Sequence, residues 1–227
     1  MDSMTETVHR LEAAVKPHLR GVLHEVAFAI SLVSGTAIVC LADGAKERTA
    51  AAIYAASVAL LFGTSAAYHR GRWSPRAYSV MARLDHSMIF VLIAGTYTPF
   101  SVLLLHGFLQ WLVLGVVWGG ALAGILLRLA SGTVFRHPPR WVFVVVYMAL
   151  GWVAVGVVPQ LLSAGGVAVF VLVAVGGLLY TLGAVVYARK KPDPSPRWFG
   201  FHEVFHAFTL AAFATHYIAV SLAVYSA

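Results

Sequence analysis

The sequence contains few charged residues, and this shortage excludes a water-soluble protein. Only 11% of its 227 residues are Asp, Glu, Lys or Arg, whereas 60% are hydrophobic. The mean hydropathy is +0.82. A soluble domain has about 25% charged and about 45–50% apolar residues. The composition therefore predicts an all-α, polytopic membrane protein.

Cysteine is nearly absent, and we expect no cleavable signal peptide. The single cysteine, Cys40, excludes internal disulfides and cysteine-rich metal clusters. We expect its side chain to be small, apolar and buried. Residues 1–23 contain six charged residues and no apolar core of the kind that signal peptides have. We expect 1–23 to be a cytosolic tail and 24–227 to be one transmembrane domain.

Seven apolar runs are long enough to cross a bilayer, which takes about 17–25 residues. Pro, Gly and charged residues cluster in the connections between these runs. We therefore predict a bundle of seven transmembrane helices. The sequence shows no convincing internal repeat, so nothing in it points to an inverted-repeat transporter. The runs lie at roughly 24–42, 50–69, 83–105, 108–129, 140–160, 164–187 and 199–223.

Positive charge is distributed unequally over the connections. With the N-terminus in the cytoplasm, the cytoplasmic segments contain 14 of the 16 Lys and Arg residues, and the outer segments contain only Lys46 and Arg48. Cytoplasmic loops carry such an excess, so we predict a cytoplasmic N-terminus, an outer C-terminus and location in the cell inner (plasma) membrane. The basic surplus then indicates contact with anionic lipid headgroups rather than binding of nucleic acid.

Polar side chains within the predicted spans collect at the cytoplasmic ends of helices 1, 2, 3 and 7. Helices 4 to 6 contain no acid or histidine within their spans. Polar groups at membrane depth are costly and usually functional. The residues at these four ends are His24, Glu25, Ser65, His69, Asp85, His86, His202, Glu203 and His206.

The spacing of the histidines suits a metal ion. His202 and His206 are four residues apart, which places them on one helix face with Cβ atoms about 5–6 Å apart. His69 on helix 2 would be a third nitrogen ligand, with Ser65 a nearby hydroxyl. Three imidazoles leave a fourth tetrahedral position for water, the pattern of a catalytic zinc. Asp85 would hold this water or accept its proton, because zinc-bound water is a nucleophile near neutral pH.

The remaining histidines have ordinary interpretations. His86 is adjacent to Asp85 but points to another face, so we interpret it as supporting or structural. His216 lies about 15 Å deeper than His206 at 1.5 Å per residue. It cannot share the same ion, and we interpret it as an interhelical hydrogen-bonding group. Four histidines near helix ends are interpreted as interfacial groups: His9, His18, His106 and His137.

The string HEVFH matches H-E-x-x-H, in which the glutamate activates the metal-bound water of metalloproteases. Such enzymes need a further ligand downstream. His216 has the wrong spacing for the soluble type. The acid motif that membrane-embedded peptidases use has no downstream counterpart here, since Ala42-Asp43-Gly44 precedes HEVFH and falls in an outer loop. An intramembrane metalloprotease therefore remains a minor alternative.

Three segments resemble the hemolysin III family, which belongs with the progestin and adiponectin receptor proteins and, more distantly, the alkaline ceramidases. They are S65-x-x-Y68-H69, RLDHSMIFVLIAGTYTPF (83–100) and FHEVFHAFTLAAFATHY (201–217). The resemblance extends from helix 1 to the C-terminus. It implies a seven-helix bundle with a cytosolic N-terminus and a zinc ion within the membrane near the cytosolic face.

The resemblance also assigns roles to residues. It implies that His69, His202 and His206 are the zinc ligands, that Asp85 acts through the metal-bound water, and that Ser65 lies beside it. The receptor relatives do not require an acid at the position of Glu203, which implies a supporting place for Glu203 rather than the role of a base.

Helix 1 departs from the family pattern. Members often read E-x-x-N-x-x-[ST]-H, whereas this chain has E25-V-A-F28-A-I-S31-L32. Phe28 and Leu32 replace two polar positions. Neither position is a zinc ligand, so the metal prediction is unaffected, but a polar network through helix 1 loses its support.

Two classes of function remain open. The leading hypothesis is a zinc-dependent hydrolase of lipid amides or esters, or a protein of membrane-lipid homeostasis built on that site, with a membrane lipid as substrate or ligand. The alternative is a non-enzymatic protein: receptor-like, held together by a structural zinc, or cytolytic through a pore. The lack of polar residues on helices 4 to 6 disfavours a pore. A retinal protein is excluded, because helix 7 contains no lysine for a Schiff base.

Overall fold

The computed structural model describes residues 16–131 and 140–226. Within these ranges the fold is all-α. A 3₁₀-helix, Trp152–Val157, follows the helix Arg140–Gly151. Residues 1–15 and 132–139, which include His9, His137 and most of the predicted tail, lie outside the described residues. The helices are α1 (Val22–Cys40), α2 (Ala45–Arg70), α3 (Pro75–Leu104), α4 (Gly107–Ala130), α5 (Arg140–Gly151), α6 (Val158–Arg189) and α7 (Phe201–Tyr225).

Six segments of the described chain are long and apolar enough to cross a membrane. Five of them are α1, α2, α3, α4 and α7, and the sixth is the continuous stretch Trp141–Arg189 of 49 residues. The protein is therefore a multi-pass membrane protein. The sixth segment contains both the fifth and sixth runs predicted from the sequence.

The boundary between those two runs differs from the prediction. The sequence predicts that the fifth run ends near 160 and the sixth begins near 164, but Pro159 lies in the first turn of α6, and the helix continues from there. Proline is favoured at the first helical position, where its missing N–H would have no partner. The actual break is at Gly166, which has φ 73° and ψ 174°. Glycine adopts this conformation because it has no Cβ.

Helix α3 begins earlier than the sequence predicts. Ser74 caps it, with its hydroxyl accepting a hydrogen bond from the backbone N–H of Ala77 at 3.4 Å, and Pro75 occupies the first turn. Both are common at helix starts. Asp85 therefore lies ten residues inside α3 rather than at its opening turn.

The helices pack through small and aromatic side chains and present large apolar residues outward. A Cβ added to Gly95 of α3 would lie 2.2 Å from the hydroxyl of Ser57 on α2, so the two backbones approach closely. Such close approach is typical of membrane helices. Phe108 and Trp111 are 77% and 70% exposed, as lipid-facing residues are expected to be. Cys40 is also exposed, at the end of α1, so the prediction that it is buried is wrong.

Candidate metal centre

Three histidines from two helices form a cluster at one end of the bundle. His69 lies in the last turn of α2, and His202 and His206 lie in the first two turns of α7. One nitrogen from each ring can be chosen so that all three lie within 4.8 Å of one another. His69 and His206 are buried, and His202 is partly buried. The structure thus brings together the three residues that the spacing predicted.

The donor set of this cluster could hold a metal ion. Imidazole nitrogens bind zinc, copper, iron and nickel. Two nitrogens bound to one tetrahedral zinc at about 2.0–2.1 Å lie about 3.3 Å apart. The Nε2 atoms of His69 and His202 are separated by 3.2 Å. Nδ1 of His206 is buried and has no hydrogen-bond partner within the described residues, and buried polar atoms are seldom left so.

Asp85 and Ser65 lie beside the three histidines. Oδ2 of Asp85 is 4.0 Å from Nε2 of His69, and the side chain of Asp85 is 15% exposed. Ser65 lies one helical turn before His69, is 2% exposed and interacts with the Asp85 carboxyl group. The structure therefore places both residues at the cluster. Their catalytic roles remain predictions.

His24 also belongs to this site, although no role is predicted for it from the sequence. It lies in the first turn of α1 and is only 4% exposed. Its ring stacks on that of His206 with centroids 3.6 Å apart and an angle of 9° between the planes. Its Nδ1 is 2.8 Å from the hydroxyl of Ser65. The sequence placed His24 at the right depth, but the stacking depends on how α1 packs against α7.

Glu203, the residue between the two histidines of α7, is 1% exposed and fully engaged. Its Oε2 accepts a hydrogen bond from the backbone N–H of Gly200 at 2.8 Å, which caps the start of α7. Its Oε1 forms an ion pair with Arg20. Both carboxylate oxygens therefore have partners outside the histidine cluster, which argues against Glu203 as the base of a metalloprotease.

Residues 16–21, here called the N-terminal strap, run alongside the connection that precedes α7. The backbone N–H groups of His18 and Leu19 donate to the carbonyl oxygens of Arg197 and Trp198 at 3.0 and 3.2 Å. The Lys16 ammonium donates to the carbonyl oxygen of His69. Burial lowers the pKa of Lys16, and the neighbouring Arg20 and Arg70 lower it further. The strap thus joins α2 to the segment that leads into α7.

Two further histidines within the helices, His86 and His216, form hydrogen bonds of their own. Nδ1 of His86 donates a hydrogen bond to the carbonyl oxygen of Ala82 at 2.6 Å, and its Nε2 lies 3.5 Å from the hydroxyl of Tyr187. Its Nδ1 is 3.9 Å from Asp85. His216 hydrogen-bonds the carbonyl oxygen of Val173 on α6 at 3.2 Å. The prediction that His216 bonds between helices is confirmed.

A cavity of about 180 Å³ begins at the histidine cluster and extends into the bundle. Side chains of α2, α3, α5, α6 and α7, together with His24 of α1, form its walls, and most of the wall surface is apolar. The acidic, hydroxyl and imidazole groups that line it at the end where the cluster lies are His24, Ser65, Asp85, His86, His202 and His206. An apolar molecule with one polar group matches this distribution.

The fold and the cluster together define a class: a multi-pass α-helical membrane protein with a buried three-histidine group that could hold a metal. The model of the haemolysin-III related family matches residues 13–217, nearly the whole chain. The chain belongs to this family, as the three resembling segments predicted.

Two bacterial relatives and one human relative support this assignment. The chain is 29% identical over 226 residues to "Hemolysin-3" of Bacillus cereus, covering 96% of each chain. It is 32% identical over 168 residues to "Hemolysin-3 homolog" of Bacillus subtilis (strain 168), covering 74% of each. It is 26% identical over 188 residues to "Monocyte to macrophage differentiation factor" of Homo sapiens, covering 79% of this chain and 72% of the relative.

Proposed function

We propose that this protein is a zinc-dependent hydrolase of lipid amides or esters that acts within the membrane. One observation carries the proposal. Three imidazoles, a carboxyl group and a hydroxyl group converge at the polar end of an otherwise apolar cavity. Water, a scissile carbonyl and an acyl chain can meet only at such a place.

Each residue of the site has a separate role in the proposed hydrolysis. His69, His202 and His206 would hold zinc, which supplies a Lewis acid that polarises a carbonyl oxygen and makes water more acidic. The Ser65 hydroxyl donates a hydrogen bond to the carbonyl oxygen as negative charge develops there. Oδ2 of Asp85 takes a proton from water as the water oxygen bonds to the carbonyl carbon. Asp85 then returns that proton to the amine or alcohol that leaves when the C–N or C–O bond breaks.

The proposal includes seven membrane crossings. A straight helix of 49 residues would be about 74 Å long at 1.5 Å per residue, more than twice the hydrocarbon thickness of about 30 Å. We propose that the break at Gly166 divides this stretch into two crossings. The Lys and Arg distribution supports a topology in which the N-terminus and the histidine cluster lie on the cytoplasmic side of the plasma membrane and the C-terminus lies outside. The lipid substrate would enter from the membrane between helices.

Metal analysis of the purified protein tests the central part of the proposal. We expect near-stoichiometric zinc in the wild type and loss of most of it in His202→Ala. His106→Ala is the matched control, because His106 is exposed at the start of α4 and far in sequence from the cluster. Wild-type protein without near-stoichiometric zinc would contradict the proposal.

Lipid analysis tests whether the site turns over. Membranes of cells that express the protein should contain less of one amide or ester lipid, and more of its free acid, than membranes of cells without it. Expression of Asp85→Ala should leave the lipid profile unchanged. Identical lipid profiles in cells with the wild type, with Asp85→Ala and without the protein would contradict the proposed hydrolase activity.

The second candidate is a non-enzymatic protein in which a structural zinc ties α2 to α7. The stacking of His24 on His206 favours it, since this contact stabilises the cluster without serving a reaction. The candidate predicts stoichiometric zinc, unchanged lipids and a large loss of thermal stability on chelation. A pore is less well supported, because the walls of the cavity are mainly apolar.

A further inference from the structure

The N-terminal strap lies against the end of α2 that carries His69. The Lys16 ammonium donates a hydrogen bond to the carbonyl oxygen of His69. Gly21, the last residue of the strap, packs so closely that an added Cβ would lie 2.6 Å from Cβ of His69. Its φ of 85° is a left-handed conformation that glycine adopts without strain. The strap therefore contacts one residue of the histidine cluster directly.

The strap also holds the start of α7, which carries the other two histidines. The Arg20 guanidinium pairs with Glu203, the residue that follows His202. Pro17 is buried, and a Cβ added to Gly200 would lie 3.4 Å from Cγ of Pro17. One short segment thus touches both of the helix ends whose approach forms the cluster.

The strap and the connection before α7 meet at the exposed surface of the protein. The backbone N–H groups of His18 and Leu19 donate to the carbonyl oxygens of Arg197 and Trp198. The rings of His18 and Trp198 lie with their centroids 4.5 Å apart. His18, Leu19 and Trp198 are all exposed. Hydrogen bonds near solvent belong to the parts of a protein that open most easily, so these contacts can break while the helices stay packed.

The route of a metal ion to the cluster is restricted by polarity. A hydrated cation is costly to transfer into apolar surroundings, and most of the cavity wall on the inner side of the cluster is apolar. The aqueous side is marked by Arg70, which follows His69 and is 49% exposed. His69 and His206 themselves are only 7% and 2% exposed. An ion that approaches from water therefore meets the end of α2 against which the strap is packed.

We propose that the N-terminal strap is a closure over the histidine cluster, and that a metal ion enters and leaves the cluster only when the strap opens. In the closed form the strap ties α2 to the start of α7 and shuts the histidines off from water. In the open form it separates from 197–198 and uncovers the histidines, while the helices stay in place. The inference rests on the proposed function only for the ion, because the strap covers the histidines with or without a metal.

Two rates report the opening of the strap in the purified full-length protein. The first is the rate at which diethyl pyrocarbonate modifies His69, His202 and His206 of metal-free protein, measured by mass spectrometry of the peptides. The second is the rate at which zinc-loaded protein loses Zn²⁺ to a chelator at saturating concentration. Both reactions require the open form, so each rate is proportional to the open fraction.

His18→Pro loosens the strap without changing the charge near the cluster. It removes the N–H that donates to Arg197, and position 18 is the second place of a turn closed by the bond from Arg20 N–H to Pro17, where proline is favoured. Both rates should rise by the same factor, about threefold to tenfold, the effect of one hydrogen bond. The dissociation constant for Zn²⁺ should not change, because the ion binds the open and closed forms alike. His18→Ala is the matched variant that keeps this N–H, and its rates should lie between those of the wild type and His18→Pro.

A cross-link tests the opposite change. The side chains of His18 and Trp198 are in contact, so the pair His18→Cys and Trp198→Cys can be joined by a short bifunctional methanethiosulfonate reagent in a Cys40→Ser background. The joined protein should show both rates at least tenfold lower, and a reductant that removes the link should restore them. Cys40→Ser treated with the same reagent is the control and should keep the untreated rates.

Rates that stay unchanged in both His18→Pro and the cross-linked protein would overturn the inference. So would a His18→Pro variant that loses Zn²⁺ faster only because it binds Zn²⁺ more weakly, since the strap would then simply support the ligands. Protein that takes up no zinc but shows the expected diethyl pyrocarbonate rates contradicts the proposed function alone. Zinc-loaded protein whose rates are independent of the strap contradicts this inference alone.

Discussion

At the scale of single residues, a substitution of Asp85 can separate the proposed metal binding from the proposed catalysis. It lies 4.0 Å from a nitrogen of His69 and is not one of the three nitrogen donors. We expect Asp85→Asn to keep near-stoichiometric zinc while lipid hydrolysis falls at least about a hundredfold, the usual effect of losing a general acid or base. Activity and metal content of the purified variant provide the check.

Asp43→Asn is the control for this change, because Asp43 is an exposed acid in the connection between α1 and α2. It should retain full activity. If Asp85→Asn loses its zinc together with its activity, Asp85 is part of the metal site itself and the proposed division of roles is wrong.

Glu203 offers a second test at this scale. Glu203→Gln can keep the cap to Gly200 but loses the charge that pairs with Arg20. We expect it to lower the free energy of unfolding by about 1.5–3 kcal/mol, the range for a hydrogen bond to a charged group. Thermal or denaturant unfolding in detergent measures this loss.

The pairing can be isolated with a double-mutant cycle. Arg20→Gln and Glu203→Gln should each destabilise the protein, and the double variant should lose less than the sum of the two, since the residues are in contact. A Glu203→Gln variant with unchanged stability but no hydrolysis would instead identify Glu203 as a catalytic base.

The sequence predicted which three histidines lie together in the cluster. His202 and His206 are one turn apart, and charge counting placed His69 at the same depth. The stacking of His24 on His206 and the pairing of Arg20 with Glu203 were not predictable in this way. Arg20 and Glu203 are 183 residues apart in sequence, and their contact depends on which helices become neighbours.

At the scale of secondary structure, the existence of the helices was more predictable than their ends. Hydrophobic runs located every helix core, because a bilayer requires a minimum apolar length. The start of α3 was missed although Ser74 and Pro75 form an ordinary helix start, since neighbouring charges marked this stretch as a connection. The break was predicted too early in the chain. A proline usually ends a helix, but Pro159 lies in the first turn of α6, and the helix breaks only at Gly166.

A substitution of Gly166 tests whether the break in α6 matters for stability. Its φ of 73° and ψ of 174° belong to a region that only glycine adopts readily. Gly166→Ala should therefore destabilise the protein by about 1–3 kcal/mol. Gly119→Ala is the control, because Gly119 is helical with open space around it and alanine favours helix. Equal unfolding temperatures for the two variants would contradict a structural need for this break.

At the scale of the whole molecule, the number of membrane crossings determines whether the two termini lie on the same side of the membrane. Seven crossings place the two termini on opposite sides of the membrane, whereas six would place them on the same side. We expect a reporter fused to the N-terminus to be active only in the cytoplasm and one fused to the C-terminus to be active only outside. Reporters active on one common side would contradict two crossings within Trp141–Arg189.

The exposed cysteine at the end of α1 provides an independent check on this orientation. Cys40 is the single cysteine of the chain, and its side chain is exposed. In the proposed topology it lies near the outer surface. A membrane-impermeant thiol reagent should label it from outside in intact cells and should not label Cys40→Ser. Labelling only after the membrane is opened would reverse the orientation.

The division of the histidine cluster between α2 and α7 has a consequence for how the protein is made. A ribosome completes His69 long before it completes His202 and His206, because α7 follows every other described helix. The ion pair between Arg20 and Glu203 likewise cannot form until Glu203 has been synthesised. A nascent chain halted before α7 has one histidine of the three and cannot form the site, so metal retention would report that synthesis and membrane insertion have reached α7.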